Sequence, residues 1–254
     1  MAELELRFRD ARVWRYAVSS IEKIIDEGVF IADDKGLRLR ALDTSHVAMV
    51  DFNFPREAFS EYELSDSEVA FGVSFKEFLK VLRRALKDDE LVLKVEGNNV
   101  VIVFESFQRG KRMFRIPQIH LTVEKLGEPR IEFTVKAKML GTTFRDSIKD
   151  LEVIGETLRI QASEDERKII MTSVGDIENA EVELSVDTQS LLDLEVLEPE
   201  VAASYSLEYF SEMLSAAQVA DSVSLLYASY APARVDIEYG AGGRLTFYVS
   251  PREE

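Results

Sequence analysis

Apolar residues alternate with polar ones, or run in short β-branched stretches, over residues 2–9, 29–33, 36–42, 46–54, 67–72, 90–96, 99–105 and 110–116. A period of two predicts strands with one buried face. Residues 11–26 and 74–86 carry their apolar side chains at helical spacing instead. In the second of these, Phe75, Phe78, Leu79, Val81, Leu82, Ala85 and Leu86 share one side of a helix. Residues 117–130 (PQIHLTVEKLGEPR) keep neither period, and Pro117, Gly127 and Pro129 bracket a stretch too long for a tight turn. The order then resumes: a strand at 131–137, a helix at 140–153, strands at 156–162, 167–174 and 179–186, a polar gap, a helix at 207–219, and strands at 222–228, 233–238 and 244–250. Antiparallel strands with two helices covering one face of each half predict an α+β fold.

The two halves are copies. Ser74–Leu93 (SFKEFLKVLRRALKDDELVL) returns as Ser206–Leu225 (SLEYFSEMLSAAQVADSVSL) after about 132 residues, aligning Phe78 with Phe210, Leu82 with Leu214, Ala85 with Ala217 and Asp89 with Asp221. A repeat at near half-length means a duplicated domain. The expected division is residues 1–117, a connecting loop at 118–130, and residues 131–254.

Composition narrows the function classes. Cysteine is absent, which excludes disulfide frameworks, thiolate catalysis and zinc–cysteine sites. No apolar run approaches the roughly 20 residues of a membrane span, and MAELELRFRD lacks a signal-peptide core, so a cytoplasmic protein without membrane partners is expected. The net charge of −16 is unevenly spread: residues 1–149 hold 25 Lys+Arg and 25 Asp+Glu, and residues 150–254 hold 6 and 22. Such asymmetry points to nucleic acid or to self-association, although an acidic half also simply aids solubility.

The cations gather on the predicted helices. Lys76, Lys80, Arg83, Arg84 and Lys87 fall within an arc of about 100° when residues 74–86 are extended as a helix. Arg12, Arg15 and Lys23 lie on the polar face of 11–26, and Arg145 and Lys149 are four apart on 140–153. Helix 207–219 departs from the pattern, with Glu208, Ser211, Glu212 and Ser215 and no cation. Clustered cations in an acidic chain suit a surface that touches phosphates without reading sequence. Neither a recognition-helix motif nor the aromatic interleaving of single-strand binders is present.

Gly36–Phe52 (GLRLRALDTSHVAMVDF) closely resembles the signature of sliding clamps of the proliferating cell nuclear antigen family, archaeal type. FNFPREAFSEYEL resembles the family's loop after that strand, LTVEKLGEP its interdomain connecting loop, KMLGTTFRDSIKDLEVIGE the first helix of its second domain, and GRLTFYVSPREE its ending. The resemblance covers essentially the whole chain. It implies a clamp fold that closes a ring of six domains from three subunits, as a homotrimer or a heterotrimer. Helices line the hole and sheets form the outer wall. It also implies a processivity factor that encircles duplex DNA, tethers DNA polymerase, flap endonuclease and DNA ligase through a peptide motif, is opened by an ATP-driven clamp loader, and has no enzymatic activity or cofactor.

Carried over by motif, the resemblance places a partner-peptide pocket at Leu42, His46, Val47, Met49, Val123, Leu126, Gly127, Pro129, Pro232, Ala233, Tyr248, Ser250 and Pro251. Taken singly, Val47 and Met49 read as core, Tyr248 as an edge aromatic and His46 as an ordinary satisfied histidine; the family register alone brings them together. Glu128 stands where the family often has an apolar residue. Ring closure joins two different surfaces. The basic strand Arg109–Ile116, with Arg109, Lys111, Arg112 and Arg115, matches one pairing edge, and Ala180–Val186, with Glu181 and Glu183, matches the other. Two readings compete with a clamp. One is a clamp-fold scaffold or checkpoint-type subunit that does not itself track DNA, for which the cation-free helix 207–219 speaks. The other is a two-metal nuclease on Asp33, Asp34 and Asp43. Asp33-Asp34-Lys35-Gly36 is ordinary hairpin-turn chemistry, however, and two histidines without cysteine leave no triad, zinc set or other metal site.

Overall fold

The computed structural model describes residues 3–122, 126–163 and 165–252. They form two compact units, one of residues 1–41, 50–126 and 239–245, the other of 42–49, 127–238 and 246–254. Leu42–Met49 thus belongs with the second unit, and Tyr239–Leu245 with the first.

The first unit runs β1 (Leu4–Phe8), α1 (Ala11–Glu22), β2 (Glu27–Asp33), β3 (Gly36–Leu42), β4 (Ala48–Pro55), β5 (Glu61–Leu64), β6 (Glu68–Ser74), α2 (Phe75–Leu82), β7 (Glu90–Glu96), β8 (Asn99–Ser106) and β9 (Gly110–Pro117). One sheet has the order β5-β1-β7-β8-β9, and a second run the order β4-β3-β2-β6. Trp14, fully buried on α1, is ringed by Phe8, Phe30, Phe52, Phe54, Phe59 and Phe78 at centroid distances of 5.4–6.5 Å. Edge-to-face and tilted packing of this kind adds to simple area burial, and it clamps α1 and α2 onto the sheets.

The second unit repeats the plan with β10 (Val135–Met139), α3 (Gly141–Glu152), β11 (Thr157–Ser163), β12 (Lys168–Val174), β13 (Asn179–Ser185), β14 (Asp193–Val196), β15 (Glu200–Ser206), α4 (Leu207–Glu212), α5 (Leu214–Ala217), β16 (Ser222–Tyr227), β17 (Ala233–Glu238) and β18 (Arg244–Val249). Its strand orders, β14-β10-β16-β17-β18 and β13-β12-β11-β15, reproduce those of the first unit element for element. Phe144 of α3, Phe210 of α4 and Tyr205 of β15 form its smaller aromatic centre.

Several elements differ from the sequence pattern. The helix expected at 11–26 ends at Glu22, and that at 74–86 ends at Leu82, so Arg84 and Lys87 lie in the turn beyond it. The helix expected at 207–219 is interrupted at Met213. β4 and β10 begin at Ala48 and Val135, later than residues 46 and 131. The strands β5, β14 and β15 were not anticipated. β15 (EVAASYS) is poor in β-branched residues, yet it pairs with all seven residues of β11 and buries Val201, Ala203 and Tyr205; tertiary pairing overrides weak propensity.

Candidate functional site

The cations of the first unit differ in their partners and exposure. Arg12 is held by Asp10, with Nη2–Oδ2 at 2.8 Å, and the carboxylate that also caps α1 is thereby pulled below its usual pKa. Arg15 stacks on Tyr16 at 5.4 Å and reaches the carbonyl of Ala85 at 3.4 Å. Lys23 lies just past α1 and is exposed. On α2, Lys76 and Lys80 share a face that Arg83, still in helical backbone at the cap, continues. All three are exposed, and Lys80 meets Glu77 at 3.3 Å while remaining 74% exposed. The turn after α2 presents Arg84 and Lys87, also exposed.

That turn is built from below. Asp89 is fully buried, and its carboxylate accepts the Leu86 amide at 2.7 Å and the Arg112 guanidinium, with Arg109 at 3.7 Å. Arg112 and Arg109 also donate to the carbonyls of Arg84 and Lys87. Arg112 of β9 and Arg109 just before it are thus spent bracing the turn. Lys111 pairs with Glu105 at 3.1 Å, and Glu105 with Arg7; Arg115 is exposed. β9 is the last strand of its sheet, and β13 ends the four-stranded sheet of the second unit. On β13, Glu183 is met by Lys168 at 3.0 Å, and Glu181 is exposed. Apolar residues stand out around both strands: Phe107 (fully exposed) and Met113 at β9, and Val153, Val174 and Ile177 in the second unit. On α3, Arg145 pairs with Asp146 at 3.0 Å and Lys149 is exposed; α4 and α5 carry Glu208 and Glu212 and no cation.

The residues expected around a peptide pocket fall as follows. Leu42, Val47, Pro232, Ser250 and Pro251 are half-buried, His46 is exposed, and Met49, Ala233 and Tyr248 are buried. Val123 lies outside the described residues. Tyr248 is covered by Arg234, whose guanidinium stands 5.7 Å from the ring. Arg234 donates to Asp236, which also accepts from Thr246 at 2.6 Å. Burial works against the charge of Arg234, but Asp236, with smaller help from Tyr248 and Glu128, raises its pKa above the ordinary value. Glu128 is therefore electrostatically coupled to the residue that roofs Tyr248. Gly127 is exposed and Pro129 half-buried. In the first unit the connecting segment starts against β6, where Ile119 donates to the Gly72 carbonyl at 3.0 Å. A Cβ on Gly72 would lie 2.2 Å from the Ile119 carbonyl oxygen, so that crossing requires glycine. Farther along, the half-buried Leu126 accepts at its carbonyl from Arg40 at 3.1 Å, and Arg40 is itself anchored on Asp51.

Asp43 organises the signature loop. Its Oδ1 accepts the Val47 and Ala48 amides at 2.8 and 2.9 Å, and its Oδ2 accepts from Ser45 and from Tyr209. Burial raises its pKa, but these donors outweigh that effect and hold it below the usual carboxylate range. Asp33 is likewise lowered, burial being outweighed by Arg38 and the Lys35 amide. Each carboxylate serves its own turn, and among the described residues no cluster of His, Asp and Glu suits a metal ion. Sequence reasoning missed Arg40, Arg234 and Tyr209, and weighed Asp43 only as a metal ligand, not as the organiser of its loop. Asp43 alone had a local signal, as a loop carboxylate followed by Thr-Ser; the others act across more than 80 residues or through side-chain stacking.

Two family models cover the chain. The N-terminal domain of proliferating cell nuclear antigen matches residues 3–125, and the C-terminal domain matches residues 127–252. The chain belongs to the proliferating cell nuclear antigen family. A protein of Aeropyrum pernix named DNA polymerase sliding clamp 3 is 56% identical over 100% of both chains. One of Thermofilum pendens, named DNA polymerase sliding clamp, is 34% identical over 97% of this chain and 98% of its own. Among solved structures, a chain of the PCNA2-PCNA3 complex from Sulfolobus tokodaii superposes with a TM-score of 0.90 at 28% identity, covering 98% of this chain and 100% of that one. The antigen from Thermococcus kodakaraensis gives 0.90 at 27%, with the same coverage. Two repeated units of antiparallel strands with few helices are thus the family's architecture. Among the described residues no helix is long and apolar enough to cross a membrane.

Proposed function

We propose that this chain is a subunit of a DNA sliding clamp, a ring that encircles duplex DNA and tethers replication and repair enzymes as a processivity factor. The observation that carries the reading is the duplicated unit itself, shared over the whole chain with relatives named DNA polymerase sliding clamp. The cation face of α2 and its turn, with Lys149, supplies sequence-independent attraction to phosphate; Arg12, Arg15, Lys23 and Arg145, already engaged, contribute less. The domains are taken as residues 1–117 and 131–254, with 118–130 between them. β9 of one subunit pairs with β13 of the next, since an exposed edge is a liability unless paired. With Arg109, Lys111, Arg112 and Glu183 internally partnered, Arg115 and Glu181 carry the charge match, and Phe107, Met113, Val153, Val174 and Ile177 supply apolar contact. DNA polymerase, flap endonuclease, ligase and the clamp loader dock an aromatic peptide at Leu42, His46, Val47, Met49, Leu126, Gly127, Pro129, Pro232, Ala233, Tyr248, Ser250 and Pro251, an apolar site with few polar anchors. No catalytic role is assigned.

The test is topological. Loaded by a clamp loader with ATP onto nicked circular DNA, the protein stays bound, and it runs off when the circle is linearised. Equal loss from circular and linear DNA would favour the scaffold reading. A mixed ring is favoured by one feature: α4 presents Glu208 with no cation beside it, and sister subunits with cations there would dilute its repulsion of phosphate. Native mass spectrometry of the chain alone separates the two. A trimer at micromolar concentration rules out an obligate mixed ring.

A further inference from the structure

Within the second unit, the signature loop Asp43–Ala48 is closed on itself by the Asp43 amide donating to the Ala48 carbonyl at 2.9 Å and the His46 amide donating to the Asp43 carbonyl at 3.1 Å. At its crest His46 has φ = 58°, the left-handed region that L residues seldom adopt. Such backbone persists only where its surroundings over-determine it. Asp43 does this from inside the loop, since its two oxygens offer about four acceptor sites and all are used. Two are taken by the Val47 and Ala48 amides, one by Ser45, and one by the Tyr209 hydroxyl at 2.8 Å. Ser45 Oγ also lies 3.1 Å from the Tyr209 hydroxyl, which closes a three-membered polar cluster. On the opposite side the Val47 carbonyl accepts the Ser250 amide at 2.9 Å.

The loop therefore has two tethers from distant sequence. One is a backbone bond to the chain leaving β18. The other is the phenol of Tyr209, which comes from α4, the helix that carries none of the cations of its counterpart α2. Tyr209 follows the exposed Glu208 and precedes Phe210, which is buried in the aromatic centre. The ring is thus held by a rigid element while its hydroxyl points at the loop. A hydrogen bond to an ionised acceptor is about twice as strong as a neutral one, and here the acceptor is a carboxylate held ionised by all its other donors.

We infer that Tyr209 is a positioning residue for partner binding: its hydroxyl latches the Asp43 loop to α4 and so fixes the His46–Met49 wall in the conformation a partner peptide meets. This rests on the reading of His46, Val47 and Met49 as part of the peptide pocket. Tyr209 does not itself line that pocket. It acts by removing the ordering cost that a loose loop would charge against binding.

The test compares the full-length chain with Tyr209→Phe, which keeps the ring and removes only the hydroxyl, and with Ser45→Ala and the double variant. Three readouts are taken: the thermal midpoint, amide hydrogen exchange at Val47 and Ala48 without peptide, and calorimetric affinity for a synthetic peptide carrying two adjacent aromatic residues. Tyr209→Phe is expected to leave the thermal midpoint within a few degrees, to speed exchange at Val47 and Ala48 about tenfold, and to weaken the peptide about tenfold, the loss expected for one hydrogen bond to a charged group. Ser45→Ala has a smaller effect on both, and the double variant is not additive because the three groups share one cluster. Unchanged exchange at Val47 and Ala48 in Tyr209→Phe overturns the latch. Faster exchange with unchanged peptide affinity overturns its role in binding. If the wild-type chain itself does not bind the peptide, the pocket reading falls and the positioning role with it, while the exchange data still report whether the loop is latched.

Discussion

Replacing Lys76, Lys80 and Arg83 together by Ala should change how DNA binding responds to salt more than it changes the fold. The three sit at i, i+4 and i+7 on α2 and its cap, all on the exposed side, opposite the buried Phe75, Phe78, Leu79 and Leu82. Alanine is the strongest helix former, so the helix survives. The pair between Lys80 and Glu77 is largely exposed, and such pairs are worth about 0–1 kcal/mol, too little to withhold Lys80 from a phosphate. Each phosphate contact contributes about 0.9 to the slope of log affinity against log salt, so three contacts account for about 2.7 per subunit that touches DNA. Between roughly 50 and 200 mM salt that amounts to about a 40-fold steeper loss of affinity in the wild type than in the variant. Fluorescence anisotropy on labelled duplex across this range measures it. Arg84 lies in the turn beyond α2, where its carbonyl is pinned by Arg112, so Arg84→Ala should flatten the slope less than Arg83→Ala. Lys94→Ala, which removes one charge from a strand cation already paired with Glu5 at 2.7 Å, should leave it unchanged. Parallel lines for the wild type and the triple variant would show that DNA does not pass this face.

Arg40→Ala frees the Leu126 carbonyl and should weaken an aromatic partner peptide, as Leu126→Ala should, each by about 1–3 kcal/mol in calorimetry if they set an anchor of the pocket; wild-type affinity in both variants would remove Leu126 from it. Arg112→Ala leaves the fully buried Asp89 carboxylate with only the Leu86 amide and Arg109 at 3.7 Å and should cost about 1–3 kcal/mol in denaturant unfolding, with Asp89→Asn costing less because the charge left behind, on Arg112, is partly exposed. Arg115→Glu and Glu181→Arg should each loosen self-association, and the double variant should restore it; native mass spectrometry in which either single change leaves the oligomer intact would dissociate this pair from the interface. Asp43 has a folded pKa below the usual 3.8, so its stabilisation is complete above that value and is lost as pH falls through the lower, folded value. The stability gap between the wild type and Asp43→Asn should accordingly be flat above about pH 5 and close in stronger acid.

The repeat that links Ser74–Leu93 with Ser206–Leu225 is legible because apolar positions are what a duplicated core must keep. Its members are α2 running into β7 and α4–α5 running into β16. The ends of those helices are not legible in the same way. The apolar pattern runs on through Ala85 and Leu86, but the backbone turns because Asp89 takes the Leu86 amide and Arg112 the Arg84 carbonyl. No local pattern encodes a partner on β9. β15 is hidden for a related reason: its Ala and Ser residues are strand-forming only because β11 is alongside. The residues proposed for a peptide pocket are linked only by the family register, since a buried Tyr248 roofed by Arg234 and a connecting segment pinned by Arg40 depend on contacts that no local pattern encodes.

The same distinction sharpens the electrostatics. Counted along the sequence, α1, α2 and α3 all present cations. In three dimensions Arg12 is neutralised by Asp10 two residues away and Arg145 by the adjacent Asp146, whereas Lys76, Lys80, Arg83, Arg84 and Lys87 stay exposed on α2 and a turn braced by Asp89, Arg112 of β9 and Arg109 before it. Those five all lie in the first unit, while α4 and α5, the counterparts of α2, carry acids and serines but no cation on their polar face. Attraction to phosphate is therefore unequal between the two copies of one ancestral unit. With Tyr209 of α4 committed to the signature loop, the two copies of the helix have different ends on the proposed reading, one toward a polyanion and the other behind the wall of a peptide site. Substitutions on α2 should then alter salt dependence without altering peptide affinity, and Tyr209→Phe should do the reverse.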